Sequence, residues 1–482
     1  MSARTPIRVS SEDGTGRCAR PTTTRRDFLK AASLSTGAAL APHLLLADDA
    51  APQQLVRHAD SCILLWMGGA MGQTETFDPK RYTPFEVGMA PKDLLCTFPQ
   101  IDTNVDGIKF CEGVENLAQV MDRGSLIRSY VARDYNAFGE NLQHIPFQYK
   151  WHTGYTTPST VPAPFLGAWI SKALGPLNPD LPAYIEIGRS QKTNNPFLSL
   201  NAFQTAGCLG VEYGSLLIPL ADRAGEIVKS LLPVDRFDNR QTALRKLAAA
   251  SPAAQAGASA ESLTAAMESA YRLMRSPSVS AFEIASEPKE IVEQYDTGPF
   301  GRGCLLARRL VENRARFVEV HVDFENAKGW DTHTDGHNGQ AAMKKLIDRP
   351  VATLIKDLES RGLLDRTLVI LATEFGRCSL GRGGNTWAKL EKENQYGVHG
   401  HFAGAASLMM WGGGIQKGVV VGQTADVFPC ETVQRPVSIS DIHATIYNRL
   451  GIAPDFHVEI ERRPFHVTQD GLGKPISEIL AS

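Results

Sequence analysis

Arg316-Phe317-Val318-Glu319-Val320-His321-Val322 and Thr367-Leu368-Val369-Ile370-Leu371-Ala372-Thr373 are the two segments on which the fold turns. Each is a short, mostly apolar run that stops in a loop. The first leads into Gly329-Trp330-Asp331-Thr332-His333-Thr334-Asp335-Gly336-His337, the second into Glu374-Phe375-Gly376-Arg377. Runs of this kind read as strands buried on both faces of a sheet. Between them, about Asn338 to Arg361, apolar residues recur at helical spacing. Strand, helix, strand is the parallel βαβ unit.

Two further runs repeat the pattern. Ser61-Cys62-Ile63-Leu64-Leu65-Trp66-Met67 ends in Gly68-Gly69-Ala70-Met71-Gly72, and Ser407-Leu408-Met409-Met410-Trp411 ends in Gly412-Gly413-Gly414. The expected fold is α/β, a doubly wound, mostly parallel sheet in one domain over residues 55–482. From Leu232 to Arg275, Ala-rich stretches carry Leu, Met and Tyr at helical spacing, which reads as surface helices in an excursion over about residues 232–300. Within it, Ala249 to Glu261 is small and polar and reads as a loop.

Ahead of the domain, Thr24-Arg25-Arg26-Asp27-Phe28-Leu29-Lys30 precedes a weakly apolar run from Ala31 to Ala47. Charged, apolar and exit regions in that order read as a twin-arginine export signal over residues 1–47, cleaved near Ala47. The run is too short and too polar for a membrane span. The expected destination is the periplasm or cell envelope. The twin-arginine route carries folded proteins, which leaves room for a metal bound before export.

Composition is ordinary, at 43% hydrophobic and 21% charged residues with net charge −2. That balance gives no electrostatic case for nucleic acid. Beyond the leader, no stretch is long and apolar enough to span a membrane. Of eight cysteines, seven follow the leader and none forms a CxxC pair, so a zinc–thiolate site is not expected and at least one thiol stays free. Cys96 and Cys111 are near enough in sequence to pair.

The densest set of ligand-type residues is Asp331-x-His333-x-Asp335-x-His337, just past a buried strand. Imidazole with carboxylate suits zinc, iron or manganese better than calcium. In a loop, alternate residues bring Asp331 and His333 together. In a helix, i and i+4 pairs give Asp331 with Asp335 or His333 with His337. Capping by Asp331 or Asp335 is the bland alternative. Glu374 stands at the carboxyl end of its strand, where α/β sheets bind ligands. His401 in His399-Gly400-His401-Phe402 is a further ligand candidate, as are Glu75 and Asp78 after the first glycine loop, whose N–H groups could cradle an anion. His144 reads as base, nucleophile, ligand or core histidine, and Trp151-His152-Thr153-Gly154 follows it.

Taken together, these segments resemble the bacterial domain-of-unknown-function family 1501, abundant in planctomycetes and commonly twin-arginine exported. The resemblance rests on Gly68-Gly69 through Thr76-Phe77-Asp78-Pro79-Lys80, His152-Thr153-Gly154, Phe165-Leu166-Gly167-Ala168-Trp169-Ile170, Gly329-Trp330-Asp331-Thr332-His333, Thr373-Glu374-Phe375-Gly376-Arg377, Gly412-Gly413-Gly414 and Asp441-Ile442-His443-Ala444-Thr445. The family looks like a distant branch of the alkaline phosphatase and sulfatase superfamily, which implies a two-metal phosphatase-like fold with ligands at the strand ends. The chain departs from that pattern at three places. Gly68-Gly69 stands where the superfamily has a metal-binding aspartate, His144 where it has a nucleophile, and Glu374-Phe375 where it has an Asp-His pair. What carries over is one metal site, from Asp331, His333 or His337, and His401.

The resemblance implies a metal-dependent hydrolase of phosphate or sulfate esters. Its substrate would be a small anionic ester or a sulfated or phosphorylated glycan, with a divalent zinc, manganese, iron or calcium ion as cofactor and Arg377 holding the anionic group. A different class also fits: a non-catalytic envelope protein that keeps the fold and binds a glycan or protein partner.

Overall fold

A computed structural model describes residues 55–132, 143–156, 161–189, 205–229, 233–250, 258–322, 329–379 and 387–481. The expected leader, residues 1–47, and positions 141–142 lie outside these.

Ten strands matter here: β1 (Ser61–Met67), β2 (Gly124–Tyr130), β3 (Tyr184–Ile187), β4 (Leu216–Ile218), β5 (Phe317–Val322), β6 (Thr367–Ala372), β7 (Gly376–Cys378), β8 (Gly400–Phe402), β9 (Ala406–Trp411) and β10 (Val419–Val421). Eight form one sheet in the order β10-β2-β9-β6-β1-β5-β3-β4, and β7 pairs with β8 in a separate ribbon. Every neighbour pair in the sheet is parallel except those of β9, which runs antiparallel to β6 and β2. The βαβ unit read from the sequence is present, but β1 is inserted between β5 and β6.

The principal helices are α1 (His144–Thr153), α2 (Leu166–Leu174), α3 (Val234–Ala250), α4 (Ala258–Arg275), α5 (Pro299–Glu312), α6 (Gly336–Ser360) and α7 (Ile439–Arg449). They make the sheet doubly wound, and β1 shows how. Successive side chains of a strand point to opposite faces. Ile63, Leu65 and Met67 enter a core with Leu305 and Leu310 of α5 and Ile347, Val351 and Leu354 of α6. Cys62, Leu64 and Trp66 enter the other, with Trp151 of α1, Trp169 of α2 and Ile442 of α7. Each such aliphatic side chain contributes about 1.5–3 kcal/mol on full burial, so the unbroken apolar run of β1 is explained by its two covered faces.

Pro350 lies inside α6. It lacks the N–H that would bond the carbonyl of Leu346, and the Thr297 hydroxyl donates to that carbonyl instead, at 2.6 Å. The excursion contains α3 and α4, with Leu244, Leu263 and Met267 exposed. The loop expected over Ala249 to Glu261 gives way to helix at both ends, because α3 runs through Ala250 and α4 begins at Ala258; residues 251–257 lie outside the described ones. Among the described residues no helix is long and apolar enough to cross a membrane, and no disulfide forms. Cys96 and Cys111 are free, with their Sγ atoms 3.7 Å apart.

Candidate metal centre at the strand ends

The carboxyl ends of β1, β5 and β6 converge, as expected where α/β sheets bind ligands. Thr373, just past β6, ties β6 to β1: its Oγ1 donates to the carbonyl of Met67 at 2.9 Å and accepts from the N–H of Met71 at 3.0 Å. The chain turns sharply at Gly69, whose φ of 103° suits glycine. There the Gly69 N–H donates to Glu374 Oε1 at 3.0 Å.

Around this junction, Asp331, His144, His333 and His401 each aim one donor atom at a common point, all within 4.8 Å of one another. Asp331 Oδ1 is 2.9 Å from His333 Nε2, 3.2 Å from His144 Nε2 and 3.5 Å from His401 Nε2. His333 Nε2 and His401 Nε2 are 3.0 Å apart. Four donors at about 2.0–2.2 Å from one tetrahedral ion stand roughly 3.3–3.6 Å apart. The observed spacings are close to that shell, and three imidazoles with one carboxylate are a donor set for zinc, manganese or iron.

Each side chain reaches the point for a local reason. Asp331 and His333 lie in the loop before α6, and alternate loop residues face the same way. His401 sits on β8 in register with Arg377 on β7. His144 is the first residue of α1, and Glu374 Oε1 fixes its ring by contact with Nδ1 at 2.6 Å. With the Nδ1 proton directed at Glu374, the Nε2 lone pair faces Asp331, the carboxylate–imidazole arrangement common behind metal ligands.

Burial opposes ionisation of Asp331, but the surrounding imidazoles of His144, His333 and His401 and the charge of Arg377 hold its carboxyl well below the usual range. Burial also opposes protonation of His144, and Asp331 and Glu374 outweigh it, raising its pKa. Burial would keep Glu374 neutral; His144 and the Gly69 N–H lower its pKa instead. Both carboxylates of the site are thus held ionised beside three imidazoles.

The remaining candidates lie elsewhere or act differently. Glu374 stands behind His144, fully buried, and is not among the converging donors. Arg377 does not face a substrate. It is fully buried, with Nε 2.7 Å from the Ala70 carbonyl, Nη2 2.7 Å from that of Gly69 and Nη1 3.2 Å from that of His399, and Nη2 also pairs with Asp331. The expectation that it holds an anionic group is corrected: it clamps Asp331 and the glycine turn. His337 turns away to Thr97 Oγ1, at 3.1 Å, and stacks on Phe98. Helix α6 begins only at Gly336, so the i and i+4 reading of His333 with His337 fails. Asp335 occupies the N-cap position without a side-chain cap bond, accepting instead from Asn338 Nδ2 at 2.8 Å.

Glu75 faces His399 Nε2 at 3.1 Å and accepts from the Thr97 N–H and hydroxyl, each at 2.9 Å. Asp78 accepts from the Thr424 hydroxyl and lies 3.4 Å from Lys80. Two N–H groups of the glycine loop, those of Gly69 and Met71, are already bonded to Glu374 and Thr373. Sequence reasoning overlooked a second ionisable cluster on β3 and β5, although its signal was visible: Glu319 and His321 interrupt an apolar run, as Glu186 does in Tyr184-Ile185-Glu186-Ile187.

Fold and site define an α/β protein with an Asp/His metal-type centre at the carboxyl ends of its strands. The chain belongs to the family described as "Protein of unknown function (DUF1501)", whose model matches residues 59–480. No curated protein matches it. Among solved structures it is similar to the lipoteichoic acid synthase LtaP from Listeria monocytogenes, at 10% identity over 88% of this chain and 78% of that one, with a TM-score of 0.36. It is similar also to the phosphonate monoester hydrolase of Agrobacterium radiobacter, at 12% identity, 87% and 76% coverage and a TM-score of 0.35. The PsFucS1 sulfatase from Pseudoalteromonas sp. gives 11% identity, 82% and 69% coverage and a TM-score of 0.31. At these TM-scores the likeness is distant and carries no weight in assigning the site.

Proposed function

We propose that the protein is an exported, metal-dependent hydrolase of phosphate or sulfate esters, built on an alkaline-phosphatase-like version of the doubly wound fold. The observation that carries this reading is the convergence of Asp331, His144, His333 and His401 at the strand ends. A divalent ion held there with room for a further ligand would supply Lewis-acid polarisation and a water of lowered pKa. The chain's own residues have separable tasks. Asp331 supplies the negative charge, Arg377 fixes Asp331, and Glu374 keeps the His144 proton on Nδ1. His333, with a side chain 31% exposed against 7–12% for the other three, marks the side from which a small anionic ester or a sulfated or phosphorylated glycan would approach.

A second reading, a metal-holding envelope protein that binds a glycan or protein partner without catalysis, is favoured by one observation. The position expected for a nucleophile is His144, locked between Asp331 and Glu374, and four protein donors are typical of closed structural sites.

Metal analysis of the purified chain and of His333→Ala, followed by a panel of chromogenic phosphate and sulfate esters, separates these. Bound metal with turnover that His333→Ala abolishes supports the hydrolase. Bound metal without turnover on any ester supports the binding protein. A chain without zinc, iron, manganese or calcium overturns both. Export is tested by Arg25→Lys with Arg26→Lys, which should leave the protein in the cytoplasm.

A further inference from the structure

Strands β3 and β5 assemble a second ionisable cluster on the face covered by α1 and α2. Glu186 and Glu319 are direct register partners on these parallel strands, so their side chains leave the same face of the sheet, about 4.8 Å apart at the backbone. They are 0% and 1% exposed. His321, two residues along β5, shares that face and is 8% exposed. One donor atom from each of Glu186, Glu319 and His321 lies within 4.8 Å of the other two.

Two carboxylates this deep are costly unless their oxygens are matched by donors. The outer oxygens are matched: Ser215 Oγ is 3.1 Å and Arg189 Nη2 3.2 Å from Glu186 Oε2, and His152 Nε2 is 2.7 Å from Glu319 Oε1. Between the two glutamates, among the described residues, stands the Tyr184 hydroxyl, in contact with Glu186 Oε1 and 2.9 Å from Glu319 Oε2. Its single proton serves one of them at a time. His321 Nε2 approaches Glu319 Oε1 to 3.1 Å but is not aligned for a hydrogen bond. Among the described residues it has no hydrogen-bond partner. A buried ring nitrogen without a hydrogen-bond partner, beside two buried carboxylates that share one tyrosine proton, marks a place for a cation.

We propose that Glu186, Glu319 and His321 form a second divalent-cation site, separate from the Asp331 centre. Two carboxylates with one imidazole suit zinc or manganese. Ser215, Arg189 and His152 hold the outer oxygens, as second partners of metal-binding carboxylates do. The enclosure makes this a structural tie that locks β3 to β5, the strand that leads to Asp331.

The test counts ions per chain by elemental analysis after the full-length protein is stripped with a chelator and reloaded in zinc or manganese chloride. The wild type is expected to hold two. Combined His333→Ala and His401→Ala dismantles the first centre, leaves the second untouched, and is expected to hold one. Adding His321→Gln to that variant is expected to leave none. His321→Gln in the otherwise native chain is expected to hold one, at the Asp331 centre, with native near-ultraviolet circular dichroism. The proposal falls if the His333/His401 variant holds none, or if His321→Gln removes no ion from either background. Failure of the first centre shows separately, as equal ion counts in the wild type and the His333/His401 variant.

Discussion

Glu374 Oε1 lies 2.6 Å from Nδ1 of His144 while Nε2 of the same ring lies 3.2 Å from Asp331, so one buried carboxylate sets the direction in which a histidine presents its lone pair. Glu374 has no solvent exposure, and its other contacts, the Gly69 N–H and the Thr373 hydroxyl, hold it in place. Glu374→Gln keeps the shape but loses the charge that polarises the imidazole. It is expected to weaken metal binding at the Asp331 centre about 10- to 100-fold while leaving the fold intact. Competition titration against a chelating dye measures this, and unchanged affinity would remove Glu374 from the site.

Arg377 gives a prediction of the opposite kind. Its guanidinium bonds three backbone carbonyls and Asp331 at full burial. Removing it strands a buried carboxylate and the carbonyls of a tight turn. Arg377→Ala is therefore expected to cost about 3–5 kcal/mol of stability, read by urea denaturation. Arg377→Lys should recover little, because one ammonium cannot span the positions that the planar fork reaches. A substrate-binding arginine would behave differently, with stability unchanged and KM raised.

The legible part of this protein follows from burial. β1, β6 and β9 are apolar on both faces because helices or other core elements cover both, β5 departs from this only at Glu319 and His321, and such runs are readable in any sequence. β2 was hidden because Gly124-Ser125-Leu126-Ile127-Arg128-Ser129-Tyr130 mixes polar residues into a buried strand. Those serines are satisfied by distant carbonyls, Ser125 by Gln416 at 2.6 Å and Ser129 by Arg435 at 2.5 Å, partners that no local pattern reveals. The same limit applies at the site. The alternation of Asp331 and His333 was readable, whereas the placement of Glu374 behind His144 depends on a contact between residues 230 positions apart.

His337 separates the loop from the helix reading of the Asp/His segment by experiment. Its ring stacks on Phe98 with centroids 4.3 Å apart, and Nδ1 lies 3.1 Å from Thr97 Oγ1. His337→Ala should leave the metal content of the chain unchanged and lower stability by roughly 1 kcal/mol through the lost ring contact. Loss of an ion from this variant would restore His337 as a ligand and contradict the geometry.

His443 supplies a pH dependence whose sign is fixed by its surroundings. The residue is fully buried on α7, with Nε2 donating to the carbonyl of Trp151 at 2.6 Å, while Nδ1 has no partner among the described residues. Burial, opposed by the Trp151 bond, lowers its pKa from 6.5 to about 4. The unfolded chain therefore binds a proton that the folded chain refuses between those values. Its contribution to stability is complete above about pH 6.5, declines as the pH falls toward 4 and is gone below that. A shift of that size corresponds to something on the order of 3 kcal/mol. His443→Gln keeps a donor for Trp151 but cannot titrate, so it should flatten this part of the stability–pH curve relative to wild type. Denaturation midpoints measured at half-unit intervals from pH 4 to pH 7 read the difference. Parallel curves for the two proteins would mean that His443 takes up a proton as readily in the folded chain as in the unfolded one.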